Sequence, residues 1–141
     1  MQTFLLKTEP GTYSYSDLER EGRTRWTGIT NPAALKALRA ARKGDAAFIY
    51  HTGNEKAIVG IATIVKGAYP DPEKPGVTVA GETKFPVIDL APARKAAKPL
   101  SLAEIRADER FADLPLLRQS RLSAMILPPK EAELIRKLTR L

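Results

Sequence analysis

A single tryptophan, Trp26, lies in an aperiodic stretch from Arg23 to Ile29, just ahead of a helix-start signal. A flat indole in such a segment can stack on a nucleobase, worth about 1–3 kcal/mol per base. Packing into the core is the competing role. Tyr13 offers a further aromatic wall, or is a plain surface aromatic in a turn. Asn31 carries an amide able to read a base edge, and it also stands where a helix cap belongs. His51 and Thr52 bring donors and acceptors to the end of a strand-like run. Lys7 and Thr8 end the first strand, so a pocket assembled from strand ends would include them. His51 is the only histidine. It can serve as a general acid or base, yet no nucleophile accompanies it in sequence. Lys36, Arg39 and Lys43 fall within about 60° of one another on a helical wheel, opposite Ala34, Leu35, Leu38 and Ala41. That stripe reads either as a solvated face or as a phosphate-contacting surface.

The elements that must position these groups follow from punctuation and periodicity. Thr3 to Lys7 reads as a short strand ended by Glu9-Pro10-Gly11. A short helix follows, with Ser14 and Ser16 as candidate caps and Ser16 to Glu19 as a capping box, ending near Gly22. Asn31-Pro32 starts a second helix that runs to about Arg42, with Gly44 closing it. Strands are expected over Asp45–Thr52, Ala57–Ala68, Val77–Val79 and Lys84–Leu90, with Tyr69–Pro72 as a loop and Ala91–Pro99 as a basic connector. Phe48 and Tyr50 read as core. Ser101 to Glu104 is a capping box for another short helix, Ser123–Leu127 a last strand, and Pro128-Pro129 the start of a C-terminal helix. That helix turns Leu134, Ile135, Leu138 and Leu141 to the core. Strands interrupted by short helices, without regular βαβ alternation, argue for an α+β fold around a mixed sheet or small barrel.

Composition removes whole classes of chemistry. The 141 residues contain no cysteine and one histidine, which excludes disulfides, thiolate zinc sites, iron–sulfur clusters and multi-histidine metal sites. Glycine-rich phosphate loops and the G-x-S-x-G elbow are missing, and no carboxylate pair stands at an acid/base spacing. The longest mostly apolar run, Ala57 to Val65, is too short to span a bilayer. No signal peptide is visible, so a cytoplasmic location is expected. The net charge is +7 and the isoelectric point about 9.8. Such a surplus in a small domain is the footprint of a nucleic-acid binder.

Four stretches, in order, resemble the EVE domain family. They are Leu6–Pro10 with Tyr13-Ser14 and Asp17-Leu18; Trp26–Asn31; Gly44-Asp45 with Phe48–Thr52, Val59–Ile61 and Ala68–Asp71; and Arg118–Ser123. Thr8 stands where the family usually has serine, and Thr27 and Thr30 where it usually has aspartate and arginine. The resemblance implies one domain over residues 1–141 with a PUA-like fold, a small mixed β-barrel flanked by short helices. It also implies kinship with YTH domains, which hold a methylated base in an aromatic cage. Phe85 matches an aromatic position of the family and would form a second cage wall with Trp26. Arg118 and Arg121 are the family-matched cations for backbone phosphates.

The expectation is therefore a non-enzymatic module that reads a modified nucleobase in DNA or RNA, with no cofactor, no metal and no membrane partner. The rivals are an RNA-binding module in translation or RNA modification, a small-molecule sensor, and an enzyme using His51 in the same pocket.

Overall fold

The run Phe4-Leu5-Leu6 sends successive side chains to opposite faces of a strand, and all three are fully buried. A strand apolar on both sides must be covered on both sides. The computed structural model, which describes residues 1–141, does so with two helical layers. Strand β1 (Thr3–Thr8) is followed by α1 (Tyr15–Glu21), β2 (Thr24–Trp26), α2 (Pro32–Arg39), β3 (Ala46–His51), β4 (Ala57–Pro70) and β5 (Pro86–Ser101). Then come α3 (Leu102–Ala107), a 3-10 turn at Glu109–Phe111, α4 (Pro115–Arg118), β6 (Ala124–Leu127) and α5 (Pro129–Thr139). The strands form one six-stranded sheet in the order β2-β5-β4-β3-β1-β6. β1 and β3 are parallel and the other pairs antiparallel. The α+β class with a mixed sheet stands. The sheet is open rather than closed into a barrel, because β2 and β6 end the order without pairing to each other.

One core carries Phe4, Leu6, Ala47 and Ile49 from β1 and β3 against Tyr15 and Leu18 of α1 and Ala34 and Leu38 of α2. The other carries Leu5, Phe48 and Tyr50 against Ile105, Phe111, Leu116 and Ile135. Of the C-terminal apolar set, Ile135 is fully buried, while Leu134, Leu138 and Leu141 pack partly buried on the second core. No helix is long and apolar enough to cross a membrane.

Several local expectations shift. The first capping box is Ser14 with Asp17, not Ser16 with Glu19: Ser14 Oγ accepts from Asp17 N–H at 3.1 Å, and Asp17 accepts from Ser14 N–H at 2.8 Å. Starting there puts Tyr15 and Leu18 on the buried face. Helix α2 stops at Arg39 rather than Arg42, because Asp45 draws the next turn tight by accepting from the N–H groups of Arg42 and Gln2. The aperiodic stretch contains β2, and Tyr69 and Pro70 extend β4. Val77 makes an isolated bridge to Thr83 rather than a strand. The basic connector Ala91–Pro99 is the second half of β5. Beyond Leu90 that strand pairs with β4 alone, leaving one edge that tolerates Pro92, Pro99, Arg94, Lys95 and Lys98.

Two glycines are required by close approach. A Cβ on Gly60 would meet the Tyr15 ring at 2.7 Å, and one on Gly67 would meet the Ala41 carbonyl at 2.8 Å. Gly60 thus seats a ring whose hydroxyl donates to the Ile61 carbonyl at 2.8 Å. Substituting Gly60→Ala forces ring or strand to move and costs about 1–3 kcal/mol, read from the urea midpoint. A fully additive Gly60→Ala/Tyr15→Leu double mutant would refute the contact.

Burial also pushes the Tyr15 hydroxyl up to about 12. The folded state therefore favours the neutral phenol more than the unfolded chain does. That contribution is intact below about pH 10 and lost as pH rises toward 12, about 2–3 kcal/mol in all. Denaturant melts across this window should show the fall, and Tyr15→Phe should show a shallower one.

Candidate functional site

At the C-terminal end of β1 burial relaxes, and the polar residues Lys7 and Thr8 stand there half-buried. The chain then turns sharply, with the N–H groups of Thr12 and Tyr13 both donating to the Glu9 carbonyl. Thr8 Oγ1 donates to the Tyr13 carbonyl at 2.6 Å, fixing the turn to the strand end. The Tyr13 hydroxyl donates to Glu21 at 2.8 Å, which orients the ring. Its ring meets Trp26 edge-on, with centroids 5.9 Å apart and planes at 80°. Trp26 is placed by β2, where it pairs with Ile88 of β5.

These groups line a hollow of about 440 Å³, together with Thr12, Thr24, Arg25, the Thr27–Ile29 segment and Ser123. Trp26 is core and wall at once: 8% exposed, packed in the first core, and lining the hollow. No polar side-chain atom is both sealed and unpaired. The Trp26 N–H makes no protein hydrogen bond and is not fully sealed from solvent. Lys7 Nζ donates to the Ser120 carbonyl at 2.8 Å, and burial holds its ammonium below its ordinary pKa. No carboxylate and no histidine lines the hollow.

Four of the sequence candidates thus converge: Lys7, Thr8, Tyr13 and Trp26. Asn31 caps α2, accepting from Ala33 and Ala34 N–H at 2.8 and 3.3 Å. It borders a second hollow of about 370 Å³ with Arg118 and Arg121. The 118–123 segment links the hollows, since Ser120 holds Lys7 and Ser123 lines the first. Arg118 is paired with Asp113 at 3.0 Å, and Arg121 has no ion pair. Lys36 and Lys43 are exposed, whereas Arg39 donates to the carbonyls of Thr83 and Lys84 and fastens α2 to that loop.

Three candidates lie elsewhere. His51 is 7% exposed, and both ring nitrogens are engaged. Nε2 accepts from Tyr15 N–H at 3.0 Å, which puts the ring proton on Nδ1 for Glu55 at 2.7 Å. Thr52 donates to the Thr8 carbonyl and so supports the strand end without lining the hollow. Phe85 lies between the ammonium groups of Lys74 and Lys84, each 5.6 Å from its ring centroid, and does not line the hollow. The wall beside Trp26 is Tyr13.

Sequence reasoning missed Thr12, Thr24, Arg25, Thr27, Gly28, Ile29 and Ser123 as lining residues. Arg25 stands out. Its Nε–H donates to the Tyr69 hydroxyl at 3.0 Å, that hydroxyl donates to Asp89 at 2.5 Å, and Arg23 holds the other Asp89 oxygen at 2.9 Å. The hydrogen bonds from Tyr69 and Arg23 outweigh the opposing effect of burial and keep the Asp89 carboxyl below its ordinary pKa. β2 has three residues, too few for alternation to declare it a strand.

Human thymocyte nuclear protein 1 is 27% identical over 163 residues, covering 96% of this chain and 72% of that protein. The chicken protein of the same name is 29% identical, covering 96% and 67%. Among solved structures, a Rhodopseudomonas palustris protein superposes with a TM-score of 0.88 at 35% identity, covering 99% of this chain and 94% of the other. Human THYN1, solved in complex with DNA containing 5-methylcytosine, also gives 0.88, at 28% identity over 100% and 99% of the two chains. This chain shares their α+β, PUA-like fold. The EVE domain profile matches residues 2–138, nearly the whole sequence, so the chain belongs to the EVE domain family.

Proposed function

We propose that this chain is a non-enzymatic module that reads a modified base in nucleic acid, taking the base into the hollow between Lys7, Tyr13 and Trp26. One observation carries the reading: two aromatic rings and a half-buried ammonium line a hollow free of carboxylates. The volume lies in the range of small-ligand sites. Aromatic faces stack on any base, and the hydroxyls of Thr8, Thr12 and Thr27 and the Trp26 N–H offer edge contacts. The likeness to a human protein solved on 5-methylcytosine DNA makes a modified cytosine in DNA the first ligand to try. Arg118 and Arg121, beside the adjoining hollow, and exposed Lys36 and Lys43 would supply phosphate contacts without sequence information. His51, the general acid–base candidate of the sequence, lies outside the lining and is committed to Tyr15 and Glu55.

The test is binding to matched strands carrying cytosine, 5-methylcytosine or other modified bases, as DNA and as RNA, at two salt concentrations. Trp26 is the only tryptophan, so its fluorescence reports the hollow directly. One modified strand should bind more tightly and quench that emission. Tyr13→Ala should remove about 1–3 kcal/mol from the modified strand alone. Trp26→Phe preserves the core better than Trp26→Ala and should narrow the preference. Affinity should fall with salt at a slope of about −0.9 per phosphate neutralised in duplex DNA. Equal affinity for every strand, with unchanged emission, would refute base reading. Salt-independent binding of a free nucleoside would favour the small-molecule sensor, and a preference that vanishes without a 2′-hydroxyl would favour RNA.

A further inference from the structure

Arg25 is exposed, lines the hollow and belongs to no ion pair. Its guanidinium is nonetheless held. Nε–H is spent on Tyr69, whose own hydroxyl proton goes to Asp89 Oδ1. Asp89 does not neutralise Arg25, because Arg23 takes Oδ2 through both Nε and Nη2, at 3.3 and 2.9 Å. The Lys66 ammonium lies 3.9 Å from the Tyr69 ring centroid and adds a third cation to the group. Arg23, Arg25 and Lys66 thus gather around Asp89 at the outer edge of β2, and the Asp71 carboxylate also acts on Arg25 without pairing with it. The two terminal nitrogens of Arg25 keep four N–H donors with no acceptor in the protein. A guanidinium fixed by one nitrogen, with its far edge open, is prepared for two parallel hydrogen bonds to an oxyanion.

We infer that Arg25 is a phosphate clamp for the hollow: its free edge binds the backbone phosphate next to the captured base, and Tyr69 and Asp89 are its positioning residues. The inference rests on the base-reading proposal above and names the part of the ligand that stays outside. Arg25 and Trp26 are neighbours in a strand, so their side chains leave on opposite sides. Trp26 packs inward and Arg25 stands in solvent. A base turned out of its stack enters a pocket while its phosphates remain at the mouth, where a cation can meet them. Arg gives the planar double contact that a lysine cannot.

The experiment uses the full chain with the modified and unmodified DNA strands, plus a modified strand whose phosphate beside the modified base is a neutral methylphosphonate. Arg25→Ala should weaken both charged strands alike, by about tenfold at low salt, and flatten the salt slope by about one unit. Wild type should bind the methylphosphonate strand as weakly as Arg25→Ala binds the charged one, and the variant should not distinguish the two. Arg25→Lys should keep the slope but recover only part of the affinity. Tyr69→Phe, which keeps every charge, should also keep the slope and weaken binding by about threefold. Thermal melts confirm that each variant is folded.

Wild-type affinities for charged strands in Arg25→Ala would overturn the clamp while leaving base reading intact. Loss confined to the modified strand would mean that Arg25 reads the base, and the phosphate assignment would fall. Absence of any base preference in the wild type would overturn base reading, with the salt slope of Arg25→Ala still deciding the clamp. No binding of any strand would overturn both.

Discussion

Burial of β1 and β3 on both faces is the constraint from which the rest follows. Six of six residues in β3 are buried, as are the three central residues of β1. Such strands offer solvent nothing along their length. Chemistry has to sit at their ends, and the ends must be shaped by whatever packs against them. On one face that is α1 and α2, whose connecting segments carry Tyr13, Arg25, Trp26 and Asn31. The tight turn after β1 brings Tyr13 back over the strand end, and β2 sets Trp26 beside it. The hollow is a by-product of covering a two-sided sheet with helices too short to reach past its rim.

The charge distribution fits that geometry. Five ion pairs are formed, each with at least one partner substantially exposed, and such pairs contribute little to stability. They do decide which cations are left over. Arg20, Arg23, Arg110 and Arg118 are matched, and Arg39 is absorbed by carbonyls. Arg25 and Arg121 are not matched and each borders one of the two adjoining hollows, while Lys7, which donates to the Ser120 carbonyl, stands in the first without an ion pair. The surplus of +7 therefore includes charge without an ion pair at both hollows.

Much of this was legible in the sequence wherever a local rule governs. Asn31-Pro32, Ser101 with Glu104, and Pro128-Pro129 mark helix starts because their bonds are made within a few residues. Lys7, Thr8, Tyr13 and Trp26 were named as candidates and do meet. What failed depends on distant partners. β2 exists because β5 offers it an edge, not because three residues alternate. The second half of β5 looks like a connector because its solvent edge needs no apolar face. Phe85 matched a family position, but the Lys74 and Lys84 side chains decide what its ring touches. His51 and Thr52 carry donors and acceptors, and those are consumed by Tyr15, Glu55 and Thr8. Asn31 spends its amide oxygen on a cap. Arg25 could not be found by pattern, since its role depends on Tyr69, 44 residues away in sequence.

The place of β1 in the strand order bears on how the chain is made. Its neighbours are β3 and β6, and its Phe4 pairs with Ala47 on one side and Ile126 on the other. During synthesis β3 emerges first and β6 only after every other strand. Until then one edge of β1 is unpaired, and Met125, Leu127, Ala132 and Ile135, which share a core with Leu5, have not been made. Ser123, which immediately precedes β6 and lines the hollow, arrives with it. The nascent protein thus carries an incomplete sheet and an incomplete hollow until β6 emerges. Both are finished by the same few residues, so a chain whose hollow is complete is also one whose β1 is no longer open to another chain.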